Sequence, residues 1–248
     1  MKPLKRYGQN FLIDKNILAF IISRSKPDNQ DCVLEIGPGH GVLTRAILAE
    51  GVKCLHTVEL DERLRPELED LAENNKALKL HFADAVKFDY ATLEPFPDKV
   101  IANIPYNITT PLIWKLLHYP VRYYLFMLQK ELALRLVASP DTKERYPLGV
   151  AIEAMGHASI VKRVSRKSFR PAPEVDSALV EIVIEKNFGL MKDSSWSELL
   201  HKGFAHRRKT LRNNLGETAG IYADKRAEDL TCEEWLNLYE SYKTTPCH

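Results

Sequence analysis

The chain has 248 residues, with 35 Lys+Arg against 33 Asp+Glu, and 45% of it is apolar. It is long enough to bury its own core without disulfide or metal staples, and too apolar and evenly charged to stay disordered. A formal net charge of +2 excludes a histone-like polycation, so any nucleic-acid surface must be a local patch.

The first elements alternate in type along the chain. Cys32–Ile36 is a short apolar run that stops at glycines, and residues 53–59, 78–83, 99–102 and 123–128 are further strand-like runs. Between them lie amphipathic stretches at helical spacing: Leu43, Ile47 and Leu48; Leu64, Leu68 and Leu71; Leu112, Ile113, Leu116 and Leu117. Strands alternating with helices predict an α/β domain built on a mostly parallel, doubly wound sheet. Tyr123, Tyr124 and Phe126 fit its core. Residues 180–184 read as a strand with no helix after it, suited to an added antiparallel strand. Residues 187–195 are polar and contain glycine, as a linker would. Beyond them the pattern is helical only, and Thr231 with Glu234 forms a capping box before Trp235, Leu236 and Leu238. The expected division is therefore a catalytic domain over 1–186 and a small all-helical domain over 187–248.

The segment from Val33 to Gly41 is a strand running into a glycine-rich turn and then a helix. Its glycines, Gly37, Gly39 and Gly41, are spaced G-x-G-x-G, and Val42 stands where a dinucleotide fingerprint needs its third glycine. Glu59 ends the next strand, placed to accept hydrogen bonds from two ribose hydroxyls. Asp84 and Ala85 follow the third, where a carboxylate and a backbone N–H can read an adenine edge. A nucleoside cofactor with no pyrophosphate to cradle fits this set, which points to S-adenosylmethionine and a Rossmann-like methyltransferase sheet. Glu35 is read as orienting the glycine loop, and His40 as facing solvent.

Asn103-Ile104-Pro105-Tyr106 follows the fourth strand. The exocyclic amine of adenine is a poor nucleophile because its lone pair is delocalised into the ring. It reacts when its protons are held by acceptors and its nitrogen is aimed at the methyl group. The Asn103 side-chain oxygen and the Ile104 carbonyl are suitable acceptors, and Pro105 stiffens the turn that presents them. The Tyr106 ring is suited to stack on a base lifted out of its helix. A general base is not required, since the methyl donor is intrinsically reactive and the protein chiefly orients.

Two basic clusters suit phosphate contacts. Lys162, Arg163, Arg166, Lys167 and Arg170 fall within nine residues with no acid among them, and Arg207, Arg208, Lys209 and Arg212 gather near a predicted helix. The second cluster is alternatively a lock between the domains. The acids Glu228, Asp229, Glu233, Glu234 and Glu240 should face away from RNA or pair with that helix.

Cys32, Cys54, Cys232 and Cys247 are scattered without a CxxC pair, which fits a reducing compartment and small core residues. His201, His206 and His248 lack metal-ligand spacing, so no metal site is expected. Residues 1–10 contain no apolar signal segment, and no apolar run approaches the roughly 20 residues of a membrane helix. A cytoplasmic protein that avoids membranes is expected. It is expected to be monomeric, because no self-complementary apolar patch stands out.

The motif Lys5-Arg6-Tyr7-Gly8-Gln9-Asn10-Phe11-Leu12, the glycine loop, Asn103 to Tyr106 and Ser168-Phe169-Arg170-Pro171-Ala172-Pro173 resemble the rRNA adenine N6-dimethyltransferase family over nearly the whole chain. Asn107-Ile108-Thr109-Thr110-Pro111, Gln129-Lys130-Glu131, Val175-Asp176-Ser177-Ala178 and the run from Arg207 to Leu215 resemble its bacterial small-subunit (KsgA-type) branch more than its antibiotic-resistance branch. The resemblance implies that two adjacent adenines near the 3′ end of 16S rRNA, in the immature small subunit, each receive two methyl groups. It implies cofactor contacts at Asn10, Leu12, Gly37, Glu59, Asp84 and Asn103, base handling at Asn103 and Tyr106, and a second stacking residue at Phe169. Ile104 departs from the Leu usual in that branch, an apolar exchange, and the C-terminal region is shorter than in many relatives. A large-subunit methyltransferase and a catalytically silent assembly factor are the competing readings; the intact cofactor and Asn103 to Tyr106 segments weigh against the second.

Overall fold

The computed structural model describes residues 10–244. The motif residues Lys5 to Gln9, and Cys247 and His248, lie outside them. The chain forms two compact units, one taking Met1–Ala133 with Ile160–Glu181 and the other Leu134–Ser159 with Ile182–His248. A single cut after residue 186 does not separate these units, because the second one draws in chain that precedes the helical region.

The first unit is built on β2 (Cys32–Ile36), β3 (Cys54–Glu59), β4 (Leu78–Phe82), β5 (Lys99–Asn103) and β6 (Tyr123–Gln129). Their order is β4-β3-β2-β5-β6, and all four pairings are parallel. Every residue of β2 and β3 is buried, as expected of strands covered on both faces. Helices α1 (Lys15–Ser25), α2 (Val42–Ala49), α3 (Arg65–Glu73) and α4 (Thr109–Leu116) alternate with the strands. Asp14 caps α1 by accepting from Asn16 and Ile17 N–H groups, and it also accepts from the Ser168 hydroxyl. Because β3 lies on one side of β2 and β5 on the other, chain order reverses at β2. This is where such sheets open a crevice at their carboxyl ends.

A two-stranded antiparallel ribbon joins β1 (Phe11–Leu12) to β8 (Phe169–Arg170). Leu12 faces Phe169, and both are buried in the core with Ile17, Ile21 and Leu179. The full sheet adds β9 (Ser177–Ile184) and then β7 (Gly156–Val164) beyond β6. The strand expected over 180–184 is thus present and longer, while β7 was not expected at all.

The second unit carries α5 (Lys130–Leu136) from Leu134 onward, α6 (Pro147–Met155), α7 (Ser194–Gly203), α8 (Leu211–Leu215) and α9 (Cys232–Thr244). Thr231 and Glu234 form the expected capping box, each side chain accepting from the other's backbone N–H. Phe204 stacks on Trp235 at 5.5 Å between ring centroids. Gly203 permits this packing: a Cβ there would come within 2.5 Å of the Trp235 ring. No helix among the described residues is long and apolar enough to cross a membrane.

Candidate active site

A cavity of about 320 Å³ opens at the carboxyl ends of β2 to β5, wholly within the first unit. Ile36, Val58, Leu60 and Ile104 give it apolar walls, and Glu59, Asp84 and Asn103 bring polar groups to it. The volume suits a small-molecule ligand. All the glycines of the loop stand at positive φ: Gly37 at 68°, Gly39 at 57° and Gly41 at 71°. Gly39 is doubly constrained, since a Cβ there would meet the Phe11 ring at 2.9 Å.

Glu59 is 7% exposed and holds the loop in place. One carboxylate oxygen accepts from Gly39 N–H at 3.1 Å; the other accepts from Leu60 and Asp61 N–H at 2.9 and 2.8 Å. Burial pushes its pKa up, and these three backbone bonds oppose that shift. A carboxylate offers about four acceptor positions, so capacity remains for a ligand hydroxyl. Glu35 lies beneath the loop, buried, and accepts from the Thr44 hydroxyl at 2.7 Å. Burial raises it to about 8; the Thr44 bond opposes this and the Glu59 charge adds to it. It therefore braces α2, where the sequence reading has it orient the glycine loop; the loop N–H of Gly39 is held by Glu59 instead. His40 does not simply face solvent: its Nδ1 lies 2.7 Å from Glu67, and its ring packs 4.6 Å from that of Phe11.

Asp84 and Ala85 occupy the turn after β4, where Asp84 accepts from Val86 N–H and both residues line the cavity. Asn103 ends β5. Its Nδ2 donates to the Asn10 carbonyl at 3.0 Å, which turns the amide so that Oδ1 is its remaining polar end. Pro105 and Tyr106 complete that wall. The Pro105 carbonyl accepts from Ile108 N–H and the Thr109 hydroxyl, which ties the turn to the start of α4. Tyr106 and Ser177 share a hydroxyl hydrogen bond of 2.6 Å. Burial pushes the Tyr106 phenol up, and the Ser177 bond works against it.

The structure thus gathers Asn10, Gly37, Gly39, Glu59, Asp84, Ala85 and Asn103 to Tyr106 around one cavity. It corrects the reading at four other positions. Leu12, expected to touch cofactor, is 6% exposed and turned into the core; its neighbour Phe11 lines the cavity instead. Phe169, expected to stack on a base, is 3% exposed and packed in the same core, with no free ring face to offer. Arg207 is half-buried and donates to the Lys143 and Arg145 carbonyls while pairing with Glu228, so its guanidinium is occupied inside the second unit. Lys162 is half-buried, its ammonium 4.4 Å from the Phe20 ring centre. Arg163, Arg166, Lys167 and Arg170 are exposed, as are Arg208, Lys209 and Arg212, the last ion-paired with Asp224. Sequence reading missed Ser177, although it sits in one of the quoted motifs, and missed Phe11.

The donor set fits S-adenosylmethionine. Side-chain-free loop positions allow close backbone approach, a fixed buried carboxylate stands at the end of β3, and apolar walls flank a second carboxylate at Asp84. The glycine loop with Glu59, and Asp84 with Ala85, would hold its ribose and base.

Comparisons with known proteins agree with this geometry. Residues 2–244 match the family model described as ribosomal RNA adenine dimethylase. A ribosomal RNA small subunit methyltransferase A from Chromobacterium violaceum is 40% identical, covering 95% of this chain and 94% of its own. One from Rubrobacter xylanophilus is 39% identical, covering 96% and 94%. Among solved structures, a dimethyladenosine transferase from Plasmodium falciparum superposes with a TM-score of 0.81 at 27% identity, covering 94% of this chain and 97% of its own. The 23S rRNA methyltransferase ErmE shares the fold at a TM-score of 0.69 and 23% identity, covering 95% of this chain and 100% of its own. With its parallel sheet, its cofactor-shaped cavity and its Asn103 to Tyr106 wall, the chain belongs to the ribosomal RNA adenine dimethylase family of S-adenosylmethionine-dependent methyltransferases.

Proposed function

We propose that this enzyme dimethylates N6 of two adjacent adenines near the 3′ end of 16S rRNA, acting on the immature small ribosomal subunit. The observation that carries the reading is the Asn103 amide, whose nitrogen is committed to the Asn10 carbonyl and whose oxygen is left to accept. S-adenosylmethionine, when bound, supplies an electrophilic methyl group. The chain's own residues supply orientation. Asn103 Oδ1 and the Ile104 carbonyl accept the adenine amine protons, which directs the nitrogen lone pair away from them. Tyr106, fixed through its hydroxyl by Ser177, offers its ring to the extruded base. Positioning of this kind replaces a general base. Phosphate contacts fall to Arg163, Arg166, Lys167 and Arg170, and secondarily to Arg208, Lys209 and Arg212. We place the reaction in the cytoplasm, by a monomer, away from membranes.

The relatives named as small-subunit enzymes support the 16S target, and so do the Gln129 to Glu131 and Arg207 to Leu215 segments. The test is methyl transfer from labelled S-adenosylmethionine to undermethylated small subunits and, separately, to large-subunit rRNA, with products identified by mass spectrometry. Dimethyladenine at two neighbouring 16S positions is the expected result. Label in large-subunit rRNA would keep the chemistry and overturn the target. No label, with cofactor bound, would leave the assembly-factor reading.

A further inference from the structure

At the ends of the strands away from the cavity, the sheet gathers a set of groups that methyl transfer does not use. Cys32 opens β2 and Cys54 opens β3, and the parallel register sets them side by side. Two residues along β3, His56 returns to the same face. Both thiol sulfurs and an imidazole nitrogen of His56 lie within 4.8 Å of one another, and all three residues are at most 2% exposed. The Cys54 sulfur is 3.5 Å from His56 Nε2. The Pro95 carbonyl oxygen faces the same space, 3.1 Å from the Cys32 sulfur and 3.0 Å from His56 Nε2. The other ring nitrogen, Nδ1, is 3.0 Å from His81 Nε2.

We propose that Cys32, Cys54 and His56 form a structural zinc site, with the Pro95 carbonyl as its fourth donor and His81 holding the His56 imidazole in the ligating orientation. A tetrahedral zinc with bonds of about 2.3 Å to sulfur and 2.0 Å to nitrogen sets its ligand atoms roughly 3.4–3.8 Å apart. The 3.5 Å between Cys54 Sγ and His56 Nε2 lies in that range, the contacts to the Pro95 oxygen at 3.1 and 3.0 Å are a few tenths of an ångström (~0.3 Å) tighter than tetrahedral geometry sets, and the thiol and imidazole donors all lie within 4.8 Å of one another. The donor set is soft, which disfavours magnesium and calcium. Charge then selects among soft ions: two thiolates with Zn²⁺ make a neutral centre, whereas Cu⁺ would leave a buried net charge of −1. On binding, each thiol releases its proton to solvent as its sulfur–zinc bond forms, and no electron is transferred. His81 accepts from His56 Nδ1–H, which leaves the Nε2 lone pair for the metal, the arrangement that ligating histidines usually have. The ion would clamp β2 to β3 and to the loop before β5, and leave the cavity at their other ends untouched.

The site was hidden in the sequence because its spacing, one Cys 22 residues before a Cys-x-His, matches no metal motif; strand register assembles it. The test is elemental analysis of the full chain, expressed with zinc and purified reduced without chelator. Titration of the demetallated protein with Co²⁺ as a spectroscopic probe accompanies it. The expected results are about one zinc per chain, and a cobalt spectrum with tetrahedral d–d bands and thiolate charge transfer. The Cys32→Ser/Cys54→Ser variant should fall below about a tenth of that content, while Cys232→Ser keeps it. His81→Ala should weaken zinc affinity by about 10–100-fold. Should the double variant fail to fold, the wild-type cobalt spectrum decides. The proposal is overturned by substoichiometric zinc with no cobalt–thiolate band. It is equally overturned by zinc retained in a folded double variant, or by a mass two hydrogens lower with Cys32 and Cys54 unreactive, which would make the pair a disulfide.

Discussion

The Asn103 amide has two ends: its nitrogen anchors the Asn10 carbonyl, and on the proposed reading its oxygen would receive the substrate amine. Asn103→Ala removes both, and Asn103→Asp keeps an acceptor while putting a carboxylate oxygen against the Asn10 carbonyl. Loss of an oriented group at the reacting centre costs about a hundredfold or more in kcat. We expect Asn103→Ala to lose at least that in single-turnover methylation, with RNA affinity in a filter-binding assay changed by less than about threefold. Equal loss of both would make Asn103 a purely structural residue. Glu59 is similarly double. Since three backbone N–H groups depend on its carboxylate, Glu59→Ala should weaken S-adenosylmethionine binding by about tenfold or more and also lower the melting temperature. Calorimetric titration reads the first effect, and unchanged cofactor affinity would count against its ribose role.

At the scale of elements, Glu35 couples β2 to α2 through Thr44, and its raised pKa gives that junction a pH signature. Between the ordinary carboxyl value of 4.5 and the folded value of about 8, the folded chain holds a proton that the unfolded chain has released. Stability therefore falls as pH rises through that window. Glu35→Gln keeps an acceptor for Thr44 without the titration, so its melting temperature should fall less than wild type between pH 5 and pH 8; parallel profiles would refute the assignment. The elements themselves were unevenly legible. The edge strand β4, with one buried residue, was legible from its alternating Leu78 and Leu80, whereas strands β2, β3, β5 and β6 announced themselves because interior parallel strands, or most of their residues, are covered on both faces and read as apolar runs. Helix α6 did not, because eight of its nine residues are buried and no polar face sets a helical period. Strand β7 lies at the sheet edge with mixed, half-buried residues, which removes the alternation that marks a strand. In the site, Glu59, Asp84 and Asn103 were legible because each follows or ends a strand. Leu12 and Phe169 were not, because each belongs to a two-residue strand whose facing is set only by its distant partner. Once β1 and β8 pair, Leu12 and Phe169 share the core side while Phe11 and Arg170 share the other.

For the whole molecule, near-neutral net charge leaves RNA affinity to local cations. Arg163, Arg166, Lys167 and Arg170 are exposed on the first unit, and each phosphate contact steepens the dependence of log K on log salt by about 0.7–0.9. Replacing all four by Ala should flatten that slope by about 3, while Arg207→Ala should leave it unchanged and instead lower thermal stability, since its partners are Glu228 and backbone carbonyls. An unchanged slope in the quadruple variant would move the phosphate contacts elsewhere. The ribbon between β1 and β8 also orders events in time. Translation delivers Asn10 first, and the glycine loop, Glu59, Asp84 and Asn103 soon after, but Phe11 finds its strand partner only when Arg170 has been made. A nascent chain shorter than that has nothing to pair with β1, and so lacks the ribbon that seats the Asn10 carbonyl against the amide of Asn103. Catalytic competence thus waits until the chain has been made past Arg170, and is not a property of its amino-terminal half alone.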